Sequence, residues 1–188
     1  MELEIKELLR KNIKYLYIKI PIEVFEGLLI TFIIGSAILF ILYGWKRGLK
    51  KVVGLLLAEY LVFIYCSTVI LRKVKESASC NFRPFWSYEA ILNGKDILIA
   101  ENILNVVVFL PIGILLRCAF RSMTCWKVLL IGMCVSGAIE AMQFVCKRGF
   151  AEIDDVIHNT IGCLIGYGLF SFARYGYEKA SERNVAVL

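Results

Sequence analysis

Long apolar segments alternate with short charged ones along most of this chain. The apolar segments lie at about 24–44, 52–71, 97–116, 128–146 and 156–175. Each is close to the ~20 residues that a helix needs to cross a ~30 Å hydrocarbon core. Only helices and closed barrels satisfy their backbone hydrogen bonds in lipid, and these segments lack the two-residue alternation of barrel strands. The pattern therefore predicts an all-α fold, a polytopic transmembrane helical bundle with about five spans.

The first 20 residues show a different pattern, in which apolar and basic positions segregate to opposite sides of a helix. Ile5 and Leu9 lie on the apolar face, and lysines occupy the other. This is typical of an interfacial helix on a membrane surface, and a helix packed on a partner protein is the alternative. Pro21 ends or bends the helix. We therefore divide the chain into an amphipathic surface helix at 1–21 and a membrane domain at 22–188.

Composition favours lipid as the solvent of this chain. Hydrophobic residues make up 59% of its 188 residues and charged residues 20%, whereas a soluble domain is about 45–50% apolar. The net charge is +6, but the basic residues concentrate between apolar segments. That distribution orients membrane helices and requires no nucleic acid. No apolar core of a cleavable signal peptide occurs near the start. We expect the lipid bilayer as a partner and no nucleic acid.

The residues that commonly bind metals are scattered. The seven cysteines contain no CxxC pair and no zinc spacing, and most lie in apolar segments, where a free cysteine packs as a small hydrophobe. His158 is the single histidine. It would form a metal site with Glu140 and Asp154 if they met, but no HExxH-type spacing is present. We expect no metal and no cofactor.

The density of basic residues orients the bundle. Four of the seven residues at 45–51 are lysine or arginine, and such residues beside a span favour the cytoplasmic side. This places 45–51 and the C-terminus inside and the N-terminus outside. In either orientation, the start of the third segment, the end of the fourth and the start of the fifth share one membrane face. Near those ends lie Asn102, Asn105, Glu140, Gln143, Arg148, Asp154, Asp155 and Asn159. We predict that they form a polar, ligand-binding cluster.

Helical spacing gives this cluster direction. Asn102, Asn105 and Phe109 share one face of the third segment, and Glu140 and Gln143 share one face of the fourth. Ionisable groups at membrane depth are costly, so they are kept where they are used or paired. Glu140 lies about two turns inside its apolar segment. We therefore interpret it as a functional carboxylate and as the candidate catalytic residue.

A second group of positions is assigned to helix packing. Asp155 and Asn159 continue along the fifth segment into Gly162 and Gly166. Small residues in such a stripe let another helix backbone approach closely in lipid. A proline inside a membrane helix predicts a kink that neighbouring groups relieve. The residues assigned to packing are Pro111, Gly113, Gly162 and Gly166.

Structural interpretations stand beside the functional ones. Asp154 or Asp155 would cap the fifth helix at its positive end. Arg148 would neutralise Glu140 or Asp155, because an unpaired carboxylate at that depth is costly. The two asparagines of the third segment would join helices by hydrogen bonds alone. The connection at 72–96 would hold a short interfacial helix or a re-entrant piece, or else an ordinary surface loop anchored by Trp86.

Three motifs together resemble the VanZ-like family of bacterial integral membrane proteins. They are NILNVVVFLPIG at 102–113, EAMQ at 140–143 and RGFAEIDDVIHNTIGCLIGY at 148–167. The resemblance covers about 55–175. It implies a multi-pass protein of the bacterial cytoplasmic membrane. In this family, the named member is associated with reduced susceptibility to teicoplanin-type glycopeptide antibiotics.

Three functions fit these residues, and the sequence leaves open whether the protein is an enzyme. The first is a cell-envelope protein whose outward-facing pocket binds a lipid, a lipid-linked precursor or a lipoglycopeptide and which contributes to antibiotic resistance. The second is a membrane enzyme acting on a lipid or a lipid-linked cell-wall precursor, with Glu140 as acid or base and Arg148 holding a phosphate or carboxylate. The third is a small transporter or helper subunit, although no internal repeat of the kind common in transporters is visible.

Overall fold

The fold is almost entirely helical. A computed structural model describes residues 22–186, so the amphipathic helix predicted at 1–21 lies outside the described residues. Among these described residues, five helical segments are long and apolar enough to cross a membrane, which confirms the predicted all-α bundle with about five spans. In chain order these spans are Glu26–Trp45, Arg47–Ile70, Ile97–Ala119, Cys125–Val145 and Ile153–Glu182.

The first two spans belong to one assigned helix, α1 (Ile22–Tyr65), which is broken at Gly44. Gly44 has φ 67° and ψ 173°, a conformation that glycine adopts without a steric penalty. A five-residue π-helical turn, Cys66–Ile70, ends the second span. The hydroxyls of Ser67 and Thr68 both donate to the carbonyl of Ile64, just before this turn. Such π-turns are frequent at functional sites.

The connection between the second and third spans is folded onto the bundle. It contains strand β1 (Cys80–Asn81) and a short helix, α2 (Trp86–Leu92). Strand β1 pairs in parallel with β2 (Ala151–Glu152), and Cys80 lies opposite Ala151. The pairing ties this connection to the turn between the fourth and fifth spans. A short helix was one of the alternatives that the sequence left open.

Three further helices complete the bundle: α3 (Ile97–Ala119), α4 (Cys125–Val145) and α5 (Ile153–Ala186). They contain the third, fourth and fifth spans. Helix α5 packs mainly on α3 and less extensively on α4. Helix α5 therefore joins α3 and α4, which contact each other much less.

Glycines bring the backbones of α3 and α5 into contact. A Cβ added to Gly162 or Gly166 would collide with a backbone carbonyl of α3, and a Cβ added to Gly113 would collide with the carbonyl of Cys163 on α5. The glycine stripe of the fifth span thus faces the third helix, as close packing in lipid requires. Helix α3 stays helical on both sides of Pro111.

An apolar core fills the space between the second span and helices α3, α4 and α5. Its buried members are Leu57, Ile64, Val69, Phe109, Ile112, Leu116, Val128, Ile139 and Cys163. The first span lies outside this core, and none of its apolar window is buried. It contacts the second span through the Thr31 hydroxyl, which donates to Glu59 at 3.0 Å.

Candidate functional site

A cavity of about 770 Å³ lies where the second and fourth spans end and the third and fifth begin. Its polar lining comes from all four spans and from the segments that follow them. These residues are Ser67, Thr68, Arg72, Lys73, Lys75, Glu101, Asn102, Asn105, Glu140, Gln143, Arg148, Glu152, Asp155 and Asn159. Seven of the eight residues predicted as a polar cluster are among them, and Asp154 is the exception.

One wall of the cavity is apolar and lies deeper in the bundle. Tyr60 and Phe63 contribute to it from the second span, Val108 and Phe109 from α3, and Ile139 from α4. The hydroxyl of Tyr60 donates to the carbonyl of Val108 at 2.7 Å. The cavity therefore offers charged and amide groups near one membrane face and hydrocarbon contacts further in.

Hydrogen bonds between helices hold α5 in place beside this cavity. Asn105 on α3 donates to Asp155 on α5 at 2.6 Å. Asn159 on α5 donates to the hydroxyl of Ser136 on α4 at 2.8 Å. The helix-joining interpretation of the polar residues thus describes real contacts, and it does not exclude a ligand because the same residues line the cavity.

Glu140 joins α4 to the beginning of α5. It is 6% exposed, and its Oε2 accepts the backbone N–H of Glu152 at 3.0 Å. The first N–H groups of a helix have no partner within the helix and carry partial positive charge. A carboxylate from the preceding span satisfies one such donor just before α5 begins. Glu140 therefore has a structural contact as well as a place in the cavity wall.

Glu152 is a lining residue that the sequence analysis did not identify. Its Oε2 accepts the indole N–H of Trp86 at 3.1 Å. Burial, together with the negative charge of Asp155, raises the pKa of Glu152 to about 7, and the Trp86 hydrogen bond opposes this shift. A carboxyl group with this pKa exchanges its proton near neutral pH, a property that suits a general acid or base.

The turn after α4 fixes the backbone at Arg148 through two hydrogen bonds. Arg148 N–H donates to the Gln143 carbonyl at 2.9 Å, and Lys147 N–H donates to the Phe144 carbonyl at 3.2 Å. Lys147 has φ 54°, so the turn is a Schellman motif with lysine at the position that usually holds glycine.

Two side chains beside this turn, Gln143 and Arg148, contact the end of the second span. The Arg148 guanidinium donates to the carbonyl of Ile70. The Gln143 amide donates to the carbonyl of Thr68 at 3.4 Å. Within the described residues Arg148 belongs to no ion pair. In place of the expected pairing with Glu140 or Asp155, it bonds to the end of the π-turn.

Arg72 is a cavity cation whose positive charge acts on several of the lining carboxyl groups. It lines the cavity just after the second span, and its charge acts on Glu101, Glu140 and Asp155. Arg72 was absent from the predicted cluster, because that cluster was drawn from the ends of the third, fourth and fifth spans only. The signal was available, since the second span ends at the same membrane face as the fourth.

Asp154 holds the connection between the second and third spans instead of lining the cavity. It is fully buried and accepts from Phe85 N–H at 2.5 Å, Ser87 N–H at 2.9 Å and the Ser87 hydroxyl at 2.6 Å. Asn102 also donates to the Ser87 hydroxyl, at 3.2 Å. Asp154 therefore caps α2, an element 67 residues earlier, whereas the sequence suggested a cap on the fifth helix.

His158 does not form a metal-binding group with Glu140 and Asp154 in the described part of the chain. It is 3% exposed, and its Nε2 lies 2.8 Å from the Tyr88 hydroxyl. Across residues 22–186, no three His, Cys, Asp or Glu side chains are grouped so that they could hold a metal ion. All seven cysteines, each within that range, are free thiols.

Comparison with known proteins places this architecture in a family. Residues 51–174, more than half of the chain, match the VanZ/LLP1 family model. The chain belongs to the VanZ/LLP1 family. The predicted family region, about 55–175, agrees with this match, and a VanZ/LLP1 chain with five apolar helices is a membrane protein.

One relative of this VanZ/LLP1 chain is Protein VanZ of Enterococcus faecium. The two are 33% identical over 73 residues, which is 39% of this chain and 45% of the relative. The chain thus matches less than half of that relative's length. No solved structure matches this chain.

Proposed function

We propose that this VanZ/LLP1 protein is a multi-pass protein of the bacterial cytoplasmic membrane whose cavity binds an amphipathic molecule of the cell envelope. The cavity carries the proposal, because it joins an apolar wall to charged and amide groups at one membrane face. A lipid, a lipid-linked cell-wall precursor or a lipoglycopeptide combines these two kinds of surface. The volume of the cavity lies within the ~300–1,000 Å³ of small-molecule sites, which is enough for a head group and part of a hydrocarbon chain.

The biological consequence that we propose is reduced susceptibility to teicoplanin-type glycopeptides. It rests on the resemblance to the VanZ-like family and on the relative named Protein VanZ. Occupation of the cavity by a drug, or by the precursor that the drug attacks, would lower the amount of productive drug–target complex at the membrane surface.

The orientation that we propose opens the cavity to the outside of the cell. Basic density at 45–51 supports a cytoplasmic position for that segment, and the cavity lies at the other ends of the adjoining spans. Cys80 lies on the cavity side and Cys125 on the opposite side, and both are exposed. An impermeant thiol reagent added to intact cells should label a variant with Cys80 as its single cysteine. It should not label the Cys125 equivalent, and the reverse pattern would invert the topology.

Susceptibility assays test the binding role of the cavity. Expression in a sensitive host should raise the inhibitory concentration of a teicoplanin-type drug. Glu140→Gln and Asn159→Ala should remove that increase while the purified variants stay folded. Glu59→Gln is the matched control, because this carboxylate contacts Thr31 outside the cavity. Cavity variants that keep full resistance would contradict the proposal.

A membrane enzyme is the second candidate. The observation that favours it is a cavity wall shared by Glu140, Asp155 and Glu152. The pKa of Glu152 is about 7. Glu140 would act as acid or base on a bound lipid or lipid-linked precursor. Incubation of the protein in nanodiscs with a lipid-linked precursor, followed by mass spectrometry, tests this candidate. Conversion that Glu140→Gln abolishes would favour the enzyme, and recovery of bound but unchanged precursor would favour binding alone.

A further inference from the structure

The charges around the cavity are distributed by depth. Arg72, Lys73 and Lys75 are exposed at the rim. Glu140 is buried, and Glu152 and Asp155 are partly buried. Glu101, a further lining acid, is exposed as well. The inner part of the cavity is therefore acidic, and its entrance is mostly basic.

Within residues 22–186, the cavity cations form no ion pair with Glu140, Glu152 or Asp155. Arg148 is engaged with the carbonyl of Ile70, and the Lys75 ammonium lies over the ring of Phe150, 6.0 Å from its centroid. Arg72 remains as the cation whose charge acts on both Glu140 and Asp155. Arg72 also acts on Glu101, so one guanidinium serves three carboxylates, and Glu152 adds a fourth negative charge to the cavity wall when all are ionised.

The hydrogen bonds to these carboxylates come from neutral groups. Asp155 receives the Asn105 amide, Glu140 receives the Glu152 N–H, and Glu152 receives the Trp86 indole. Neutral donors orient carboxylates without cancelling their charge. Buried charges are stable when they are paired or when they gain a proton.

The cavity wall also holds an unused acceptor. Gln143 is 3% exposed, and its Oε1 has no hydrogen-bond partner within residues 22–186. Buried polar atoms normally have a partner. Within the described residues, the inner cavity thus has carboxylates without an ion pair and an amide oxygen without a donor.

We propose that the head group bound in this cavity carries a protonated primary amine, which binds among Glu140, Glu152 and Asp155. An ammonium is a compact cation with three donors and no acceptor, so it supplies both missing features. An anionic group on the same ligand would lie at the basic rim, and the hydrocarbon chain would lie against the apolar wall. This inference names the ligand class of the proposed function and rests on it.

Two sources supply this chemistry: an aminated lipid of the bilayer and an aminated amphiphile that arrives from water. The test uses the full chain in phosphatidylcholine nanodiscs and measures its melting temperature with octylamine, octanol or octyl phosphate. Octylamine at a saturating concentration should raise the melting temperature by about 5 °C. Octanol, which has the same chain and no charge, should raise it far less.

Variants locate the effect in the cavity. The amine shift should disappear in a Glu140→Gln/Asp155→Asn double variant and survive in Glu59→Gln, where the altered carboxylate lies outside the cavity. Asp155→Asn alone replaces the double variant if the latter does not fold, and it should at least halve the shift. Replacing part of the phosphatidylcholine with phosphatidylethanolamine identifies the source, since a bilayer amine would occupy the site and reduce the response to octylamine.

The outcomes separate this inference from the proposed function. An equal shift with octanol, or an amine shift that persists in the cavity variants, would overturn the assignment of the amine. A shift with octyl phosphate and none with octylamine would also overturn it, while amphiphile binding itself would stand. If none of the three amphiphiles changed the melting temperature, the proposed binding function would fail as well.

Discussion

Helices α3 and α5 meet in two ways along one interface. Where Gly162 and Gly166 face α3, the backbones touch and no side chain intervenes. Nearer the membrane face, Asn105 bonds to Asp155 and the helices border a cavity of about 770 Å³. The glycine contact contains no cavity and no charged group, whereas the polar contact borders a cavity and includes a carboxyl group. We infer that the glycine contact mainly stabilises the bundle, and that the polar contact positions groups for a ligand.

The difference has a physical basis in the solvent. In lipid, helices gain little from burying apolar side chains, so association depends on close packing and on hydrogen bonds between helices. The glycine contact uses close packing. The polar contact uses hydrogen bonds, which can coexist with a cavity because each bond needs only two well-placed groups.

The largest expected effect comes from filling the glycine contact. Gly162→Leu would force α5 away from α3, because even a Cβ at this position collides with the carbonyl of Val106. Overpacking a close contact costs about 1–3 kcal/mol and occasionally more, and we expect the upper end here. Gly168→Leu is the matched control, since a Cβ there meets nothing within 4 Å. Thermal melts of the purified variants measure the effect, and equal melting temperatures would show that the glycine contact is not a main source of stability.

A smaller effect is expected from releasing the connection between the second and third spans. Asp154→Ala would leave the N–H groups of Phe85 and Ser87 without their acceptor. A buried N–H group left without an acceptor costs about 1–3 kcal/mol, but most of this cost is avoided when α2 detaches and both groups bond to water. We therefore expect faster proteolysis within 71–96 and a moderate drop in melting temperature.

The control for that variant is Asp96→Ala. Asp96 precedes α3, and its side chain makes no capping hydrogen bond. Proteolysis of 71–96 that is equally fast in both variants would mean that Asp154 does not hold the connection in place.

The smallest effect concerns a proton at the polar end. The folded-state pKa of Glu152, about 7, lies above its ordinary value. The folded state therefore binds the proton more tightly, and stability falls as pH rises from about 4.5 to about 7. The slope is at most ~1.4 kcal/mol per pH unit and smaller in practice, because the carboxyl group is partly solvated. Glu152→Gln should flatten the dependence of melting temperature on pH, and Glu89→Gln, exposed and paired with Arg83, should not. A pH dependence unchanged in Glu152→Gln would contradict the assigned protonation.

Much of the architecture follows from sequence because lipid imposes strict rules on it. Apolar segments of about 20 residues must become helices, so the five spans could be predicted without tertiary information. Chain direction then places the ends of the third, fourth and fifth spans at defined faces. For that reason Asn105, Glu140 and Asn159 could be assigned to one cluster. The domain division at 21/22, the membrane orientation and the ligand-binding role stay predictions.

Tertiary structure alone decided which neighbouring residues perform which task. Asp154 and Asp155 are adjacent in sequence, yet one caps α2 and the other lines the cavity, because successive helical side chains point about 100° apart. Arg148 turned toward Ile70 once the Schellman turn fixed its backbone, and Arg72 came beside the buried acids. Sequence by itself determined the spans and their polar ends, because hydropathy is a property of local segments. The partners of each charge depended on distances between segments, which exist only in the packed bundle.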